Sequence, residues 1–361
     1  MRPKHLPIIS LVLFFSLFIS ACSSAVYSST GWYGITANSD TVYLAAGTQV
    51  FAVDLNTHVE KWHYPDKANA KIAFYSNPVL TSDGQLLIAS YDHKLYSLDP
   101  AKNGSLNWTF SESKNRLVAS PLVIKNVAYQ PSSDGNVYAV DITTHNAAWN
   151  QPAQTGGPIW ATPATDGSCG CIYVASMDHR VYKLDASTGR LQVKSGDLGG
   201  AVVGTPAVGS DGTLYVGTFG KELLALDNVN LSVKWRFSTR DWVWAGPALA
   251  NNVLYFGDLS GNFYALNAAD GTTNFSVLQV TNPIVDTPLV SGDKIYFTAE
   301  SDSIYIADTS GGITSKVVGG TIYSAPVLAG DTILVTPSNF TSQLAALSLD
   351  GTQKWVFPPP K

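Results

Sequence analysis

A turn-delimited unit of about 42 residues recurs along nearly the whole chain, and this period limits the folds open to it. Thr205 to Ser238 shows the unit most plainly. The turn signals Gly209-Ser210-Asp211-Gly212, Phe219-Gly220-Lys221 and Asn228 to Leu231 separate four short β-rich runs: Thr205 to Val208, Thr213 to Gly217, Glu222 to Asp227 and Val233 to Phe237. Connections this short join only neighbouring antiparallel strands, so the unit is predicted to be a four-stranded meander. One such meander cannot cover both of its faces and needs copies of itself on either side.

The copies are marked three times over. The residue ending the third run recurs as Asp54, Asp99, Asp141, Asp185, Asp227, Asn267, Asp308 and Ser348, in steps of 45, 42, 44, 42, 40, 41 and 40 residues. A proline opens the first run as Pro78, Pro121, Pro163, Pro206, Pro247, Pro288 and Pro326, with Gly34 taken as its counterpart in the first copy. Past the third-run end lies Trp62, Trp108, Trp149 or Trp235 in four copies, Phe275 and Trp355 in two more, and only Val193 and Val317 in the fourth and seventh. Three markers in phase predict an all-β, eight-bladed β-propeller of four-stranded antiparallel blades, spanning residues 32–361 as one domain. Each unit holds its four strands contiguously, so the ring is expected to close by packing of the first blade on the eighth.

Residues 1–21 read as an export signal. Arg2, Lys4 and His5 give a basic start, and the apolar run Leu6 to Ile19 is too short to span a bilayer. The run ends in Ile19-Ser20-Ala21-Cys22, which resembles the lipobox of bacterial lipoproteins, where cleavage precedes a cysteine that then carries lipid. That resemblance makes Cys22 the expected lipidation site, residues 22–31 a short tether, and the location extracytoplasmic, on the outer membrane or the outer face of the cell membrane. Two or three acyl chains anchor stably where one is marginal. Losing Arg2 and Lys4 leaves 20 basic side chains against 27 acidic ones, a formal net charge of −7. No basic patch points to nucleic acid.

The third-run ends carry a family resemblance. Asp185-Ala186-Ser187-Thr188-Gly189, and Asp54-Leu55-Asn56-Thr57-His58 with Trp62, resemble the repeat Ala-x-Asp-x-x-Thr-Gly-x-x-x-Trp of PQQ-like (quinoprotein-type) β-propellers. The resemblance covers most of residues 32–357 and is specific for fold, not function. It implies either of two roles. One is a non-enzymatic lipoprotein scaffold, similar to that of the outer-membrane β-barrel assembly machinery, with another envelope protein as partner. The alternative is a dehydrogenase-like or other small-ligand propeller binding pyrroloquinoline quinone and calcium. Enzymes of that kind build their sites from long excursions between blades, and this chain has none beyond about 15 residues. No nucleophile elbow, P-loop or paired-carboxylate motif is present, so no catalytic residue is assigned and no cofactor is expected on the scaffold reading.

The Asp, Asn and Ser at the third-run ends suit turn caps. His58 and His145 fall in the glycine slot of the Thr-Gly turn, and His93 and His179 in second hairpins, where left-handed backbone is tolerated by His, so no metal ligand set is assigned. Cys169 and Cys171 flank one glycine in the first hairpin of the fourth copy and form a possible disulfide outside the cytoplasm. The candidate binding surface comes from the residues three before each proline: Tyr75, Val118, Trp160, Val203, Trp244, Val285 and Tyr323. They enter the innermost strands and should surround one mouth of the central channel. The next position holds small residues except for Asp286, so Tyr75, Trp160, Trp244 and Tyr323 are read as an apolar rim with Asp286 as its polar contact.

Overall fold

The computed structural model describes residues 32–338 and 341–358. The signal segment, Cys22 and the tether to residue 31 lie outside the described residues. Eight antiparallel sheets form; six are built from consecutive chain segments, while Pro337–Ser338, which lies between two strands of blade eight, pairs into blade seven, so those two units do not keep the contiguous strands expected of them. Blade five is Ala207–Val208, Leu214–Thr218, Glu222–Leu226 and Val233–Ser238 in spatial order from the inside out. Two blades depart from four strands. In blade four the innermost strand shrinks to the single bridge between Ala164 and Tyr173, while blade seven gains Pro337–Ser338, which pairs with the end of its outer strand Ile313–Ile322. Among the described residues the one helical segment is a 3-10 turn, Pro100–Lys102.

Burial follows from the ring. Each blade packs on a neighbour through both faces, so its second strand is apolar without alternation: Leu214–Thr218 and Cys171–Ser176 are buried at every position. The outer strand Val233–Ser238 faces water on its edge and alternates instead. Eight hydrophobic clusters each straddle two adjacent blades. The last joins Tyr33, Ile35, Val42 and Leu44 to Leu334, Leu344, Ala346 and Phe357, closing blade one on blade eight.

The outer-strand aromatics lock neighbouring blades. Blades one, two, four, five and eight share a register shift in the outer strand at the same place, as between Ala225 and Leu226, and this bulge turns the following side chain sideways. Trp149 lies over Gly189 of blade four, whose missing Cβ would fall 2.6 Å from the indole, and Trp62 covers Gly104 of blade two likewise. Where His replaces that glycine it adopts φ of 61° (His58) or 63° (His145) and stacks on Trp355 or Trp108, with ring centroids 4.6 and 5.2 Å apart. Val193 packs into the cluster between blades four and five. Val317 does not do this work. Blade seven lacks the bulge, Val317 is 74% exposed, and the Lys316 stem covers Gly351 instead.

The third-run carboxylates cap their own turns. Asp54 Oδ1 accepts the backbone N–H groups of Asn56 (2.9 Å) and Thr57 (2.8 Å), and Asp141, Asp185 and Asp227 repeat the pattern. These bonds favour the ionised form. They hold Asp54 at about 2 and keep Asp141 and Asp227 below the ordinary aspartate value, while Asp185 and Asp308 are lowered first by the hydroxyls of Ser187 and Ser310 and then by further bonds in their turns. A folded-state pKa below the unfolded one contributes stability that is complete above the unfolded value and disappears as pH falls through the folded value. The thermal midpoint is therefore expected to drop between roughly pH 4 and pH 2. A midpoint unchanged down to pH 2 in a melting series would show that these caps carry no stability.

Strand direction sets the two faces of the ring. Inner strands start at one face, which holds the channel mouth, and run to the first hairpins at the opposite face. Second hairpins return to the mouth. There, carboxylates clasp the connection arriving from the preceding blade: Asp134 Oδ2 accepts the N–H of Lys114 (2.9 Å), Asp178 Oδ2 that of Gly156 (3.1 Å) and Asp258 Oδ2 that of Asp241 (3.1 Å). A tyrosine of the same hairpin steadies each clasp, with Tyr138 donating to Asp134 (2.8 Å), Tyr182 to Asp178 and Tyr264 to Asp258 (2.7 Å).

Candidate binding site at the channel mouth

Eight inner strands converge at the mouth, and residues from all eight blades line a cavity of about 170 Å³. The innermost strands are only two or three residues long in most blades, so the segment entering each is placed by its neighbours as much as by its own sheet. Links between blades do this. Ser120 Oγ donates to the Asn77 carbonyl (2.8 Å), Thr287 Oγ1 to the Gly246 carbonyl (3.0 Å), and the Ile35 N–H to Asn77 Oδ1 (3.0 Å). Gly246 is needed for close approach, because a Cβ there would sit 1.9 Å from the Thr205 carbonyl oxygen.

Tyr75, Trp160, Trp244, Asp286 and Tyr323 all line this cavity. Trp160 and Trp244 meet with centroids 6.3 Å apart. Tyr75 turns aside to an edge contact with Tyr91 at 4.7 Å, whose ring lies 5.5 Å below the Arg116 guanidinium. The structure adds Trp32. Its indole reaches Trp244 at 5.5 Å and Tyr323 at 6.4 Å, both edge-on, so aromatic rings from blades one, four, six and eight gather over the axis.

Trp32 was hidden by register. Thr36 pairs with Tyr43 as Val79 pairs with Leu87, so the proline slot of blade one is filled by Ile35, not Gly34, and Trp32 stands where blade two has Tyr75. The eight rim positions thus read Trp32, Tyr75, Val118, Trp160, Val203, Trp244, Val285 and Tyr323. Two further aromatics extend the surface outward from the axis. Phe219, in a second hairpin, lies 5.4 Å from Trp244 and stacks on Trp242 at 4.8 Å, and Trp242 is 43% exposed. The loop signal of Asp241-Trp242-Val243-Trp244, with two tryptophans close together, could have pointed to them.

Asp286 is half-buried among small neighbours. Its Oδ1 accepts the Thr287 N–H (2.7 Å) and its Oδ2 the Ala325 N–H (2.6 Å), the second bond joining blade seven to blade eight. Desolvation outweighs those two bonds and pushes its carboxyl up to about 6. No Lys, Arg or His is among the described residues lining the cavity.

Cys169 and Cys171 are joined as a disulfide in the first hairpin of blade four, at the face opposite the mouth. Asp166 caps that hairpin by accepting the N–H groups of Ser168 (2.8 Å) and Cys169 (2.7 Å). The bridge is therefore not part of the aromatic site. Of the remaining histidines in the described residues, His93 and His179 occupy left-handed turn positions, and His63 pairs with Glu60 (2.6 Å).

The sequence matches the family described as "Outer membrane protein assembly factor BamB" over residues 23–195, 154–242 and 235–315, the overlaps reflecting the repeat. It is 25% identical over 289 residues to the outer membrane protein assembly factor BamB of Moranella endobia (strain PCIT), covering 75% of this chain and 71% of that protein. To the protein of the same name from Yersinia pestis it is 24% identical over 307 residues, covering 80% and 73%. The crystal structure of BamB from Moraxella catarrhalis superposes with a TM-score of 0.70 at 17% identity, covering 84% of this chain and 92% of that one.

Proposed function

This chain belongs to the outer membrane protein assembly factor BamB family, and from that membership we propose that it is a non-catalytic interaction scaffold for envelope protein assembly, held by lipid on Cys22 outside the cytoplasm, at the outer membrane. The aromatic mouth carries the reading. Tryptophan and tyrosine clustered at one end of a rigid ring, with Trp242 standing 43% exposed beside them, are the side chains that dominate protein interfaces. The cavity beneath them is small. At about 170 Å³ it falls below the roughly 300–1,000 Å³ of pockets that enclose drug-sized ligands, which favours a protein partner over a bound quinone.

Co-purification from mild-detergent membrane extracts, using a carboxy-terminal tag, tests this. Wild type should bring down a barrel-assembly protein. Trp160→Ala with Trp244→Ala should lower that yield by more than tenfold, as expected when two hot-spot residues are truncated, with the thermal midpoint within about 3 °C of wild type. Cys22→Ala should leave the membrane fraction while keeping its partner. Equal yields from wild type and the double variant, or a stability loss that parallels the binding loss, would return these rings to the core.

A further inference from the structure

We propose that the channel mouth is a cation site, taking one guanidinium or ammonium group between the aromatic rim and Asp286. This deepens the interaction reading of the same site and rests on it for the surface, though not for the identity of any partner. Three observations carry the inference. First, Asp286 is the one carboxylate lining the cavity, and no basic side chain among the described residues lines it to compensate. Second, the hydrogen-bond partners of Asp286 are neutral. Its Oδ1 accepts the Thr287 N–H and its Oδ2 the Ala325 N–H of the next blade, both uncharged backbone donors. A charge placed in a poorly solvated ring and met only by neutral donors costs free energy unless something opposite offsets it. Each carboxylate oxygen accepts one backbone bond in this structure and retains a second lone pair.

Third, the surroundings suit a delocalised or alkylated cation. Trp32, Trp160, Trp244 and Tyr323 gather at the mouth, and the negative faces of such rings attract a guanidinium or ammonium within about 6 Å. The cavity, about 170 Å³, has room for one such head group, and Asp286 lines it together with the small residues Ala119, Gly204 and Ala245. The raised carboxyl of Asp286 is what a desolvated acid without a counter-charge shows, and a bound cation would draw it back down. Such a group could be supplied by an Arg or Lys of a protein partner or by a free organic cation. The chemistry is the same.

The full chain should be titrated with methylguanidinium, followed by tryptophan fluorescence, alongside N-methylurea as a neutral mimic of similar shape. Wild type should bind the cation and not the urea. Asp286→Asn, which keeps an acceptor oxygen toward Ala325, should bind methylguanidinium at least tenfold more weakly, and Trp160→Leu, which keeps apolar bulk without the ring, should also weaken it. Equal affinity for both compounds, equal affinity of wild type and Asp286→Asn, or no binding of methylguanidinium by wild type would overturn the proposal. If Asp286→Asn also fails to retain the co-purifying protein, the cation is the partner's side chain; if retention is normal, it is a free molecule. Should Asp286→Asn match wild type while the double tryptophan variant still loses its partner, the cation site fails and the interaction surface stands.

Discussion

Asp258→Ala is expected to destabilise the ring by about 3 kcal/mol or more, since it strips a fully buried carboxylate from several donors at once. Oδ1 accepts the N–H groups of Ser260 and Asn262, both at 3.0 Å, and Oδ2 accepts the Tyr264 hydroxyl and the Asp241 N–H. Asn262 Nδ2 lies 3.0 Å from both oxygens. Alanine leaves these donors without an acceptor in a site closed to water. Asp258→Asn retains one acceptor oxygen and should cost distinctly less. Urea denaturation of the three proteins checks the order, and a wild-type midpoint for Asp258→Ala would mean that the clasp contributes nothing.

Trp149→Ala should cost about 3–5 kcal/mol, the range for emptying a buried aromatic site. The indole is 5% exposed, lies over Gly189 of the next blade and donates from Nε1 to the Ala186 carbonyl at 3.0 Å. Truncation therefore opens a void between two blades and removes one of two donors to the Ala186 carbonyl, which keeps the Tyr129 hydroxyl at 2.8 Å. Trp242→Ala is the internal comparison, because that ring is 43% exposed, and it should change stability by no more than about 0.5 kcal/mol. Similar losses for both variants would deny the outer-strand tryptophan its place in blade-to-blade packing.

Much of this was legible in the sequence because the period imposes the same physical demand eight times. The Asp-capped turns, the outer-strand tryptophans and the rim residues after blade one all recur at spacings that survive variation of a few residues. Blade one escaped because only 19 residues separate Ile35 from Asp54, where the other blades have 20 to 22 between proline and turn cap. With Gly34 taken as the proline counterpart, Trp32 falls outside the rim. Val317 was misplaced for a related reason: without the bulge, the outer strand of blade seven presents Thr314 to Ile306, and Val317 turns to solvent. The Tyr–Asp pairs were visible as Asp92 with Tyr96, Asp134 with Tyr138 and Asp178 with Tyr182, four residues apart. Their role was not, since Asp134 and Asp178 act on a loop arriving from the preceding blade, 20 and 22 residues earlier, a relation created only when the ring forms, whereas Asp92 takes the Tyr96 hydroxyl without such a clasp among the described residues.

Those clasps bear on how anything docks at the mouth. Loops that must be ordered on association charge that entropy against affinity, at roughly 0.5–1.5 kcal/mol for each side chain immobilised. Here the connections bearing Lys114, Gly156 and Asp241 are already tied to the neighbouring blade before an encounter. Trp242, one residue beyond Asp241, is stacked on Phe219 in the unbound chain. Whatever lands on this face therefore meets a preformed relief and docks as a rigid body, so that selectivity is decided by shape at first contact rather than by mutual adjustment afterwards.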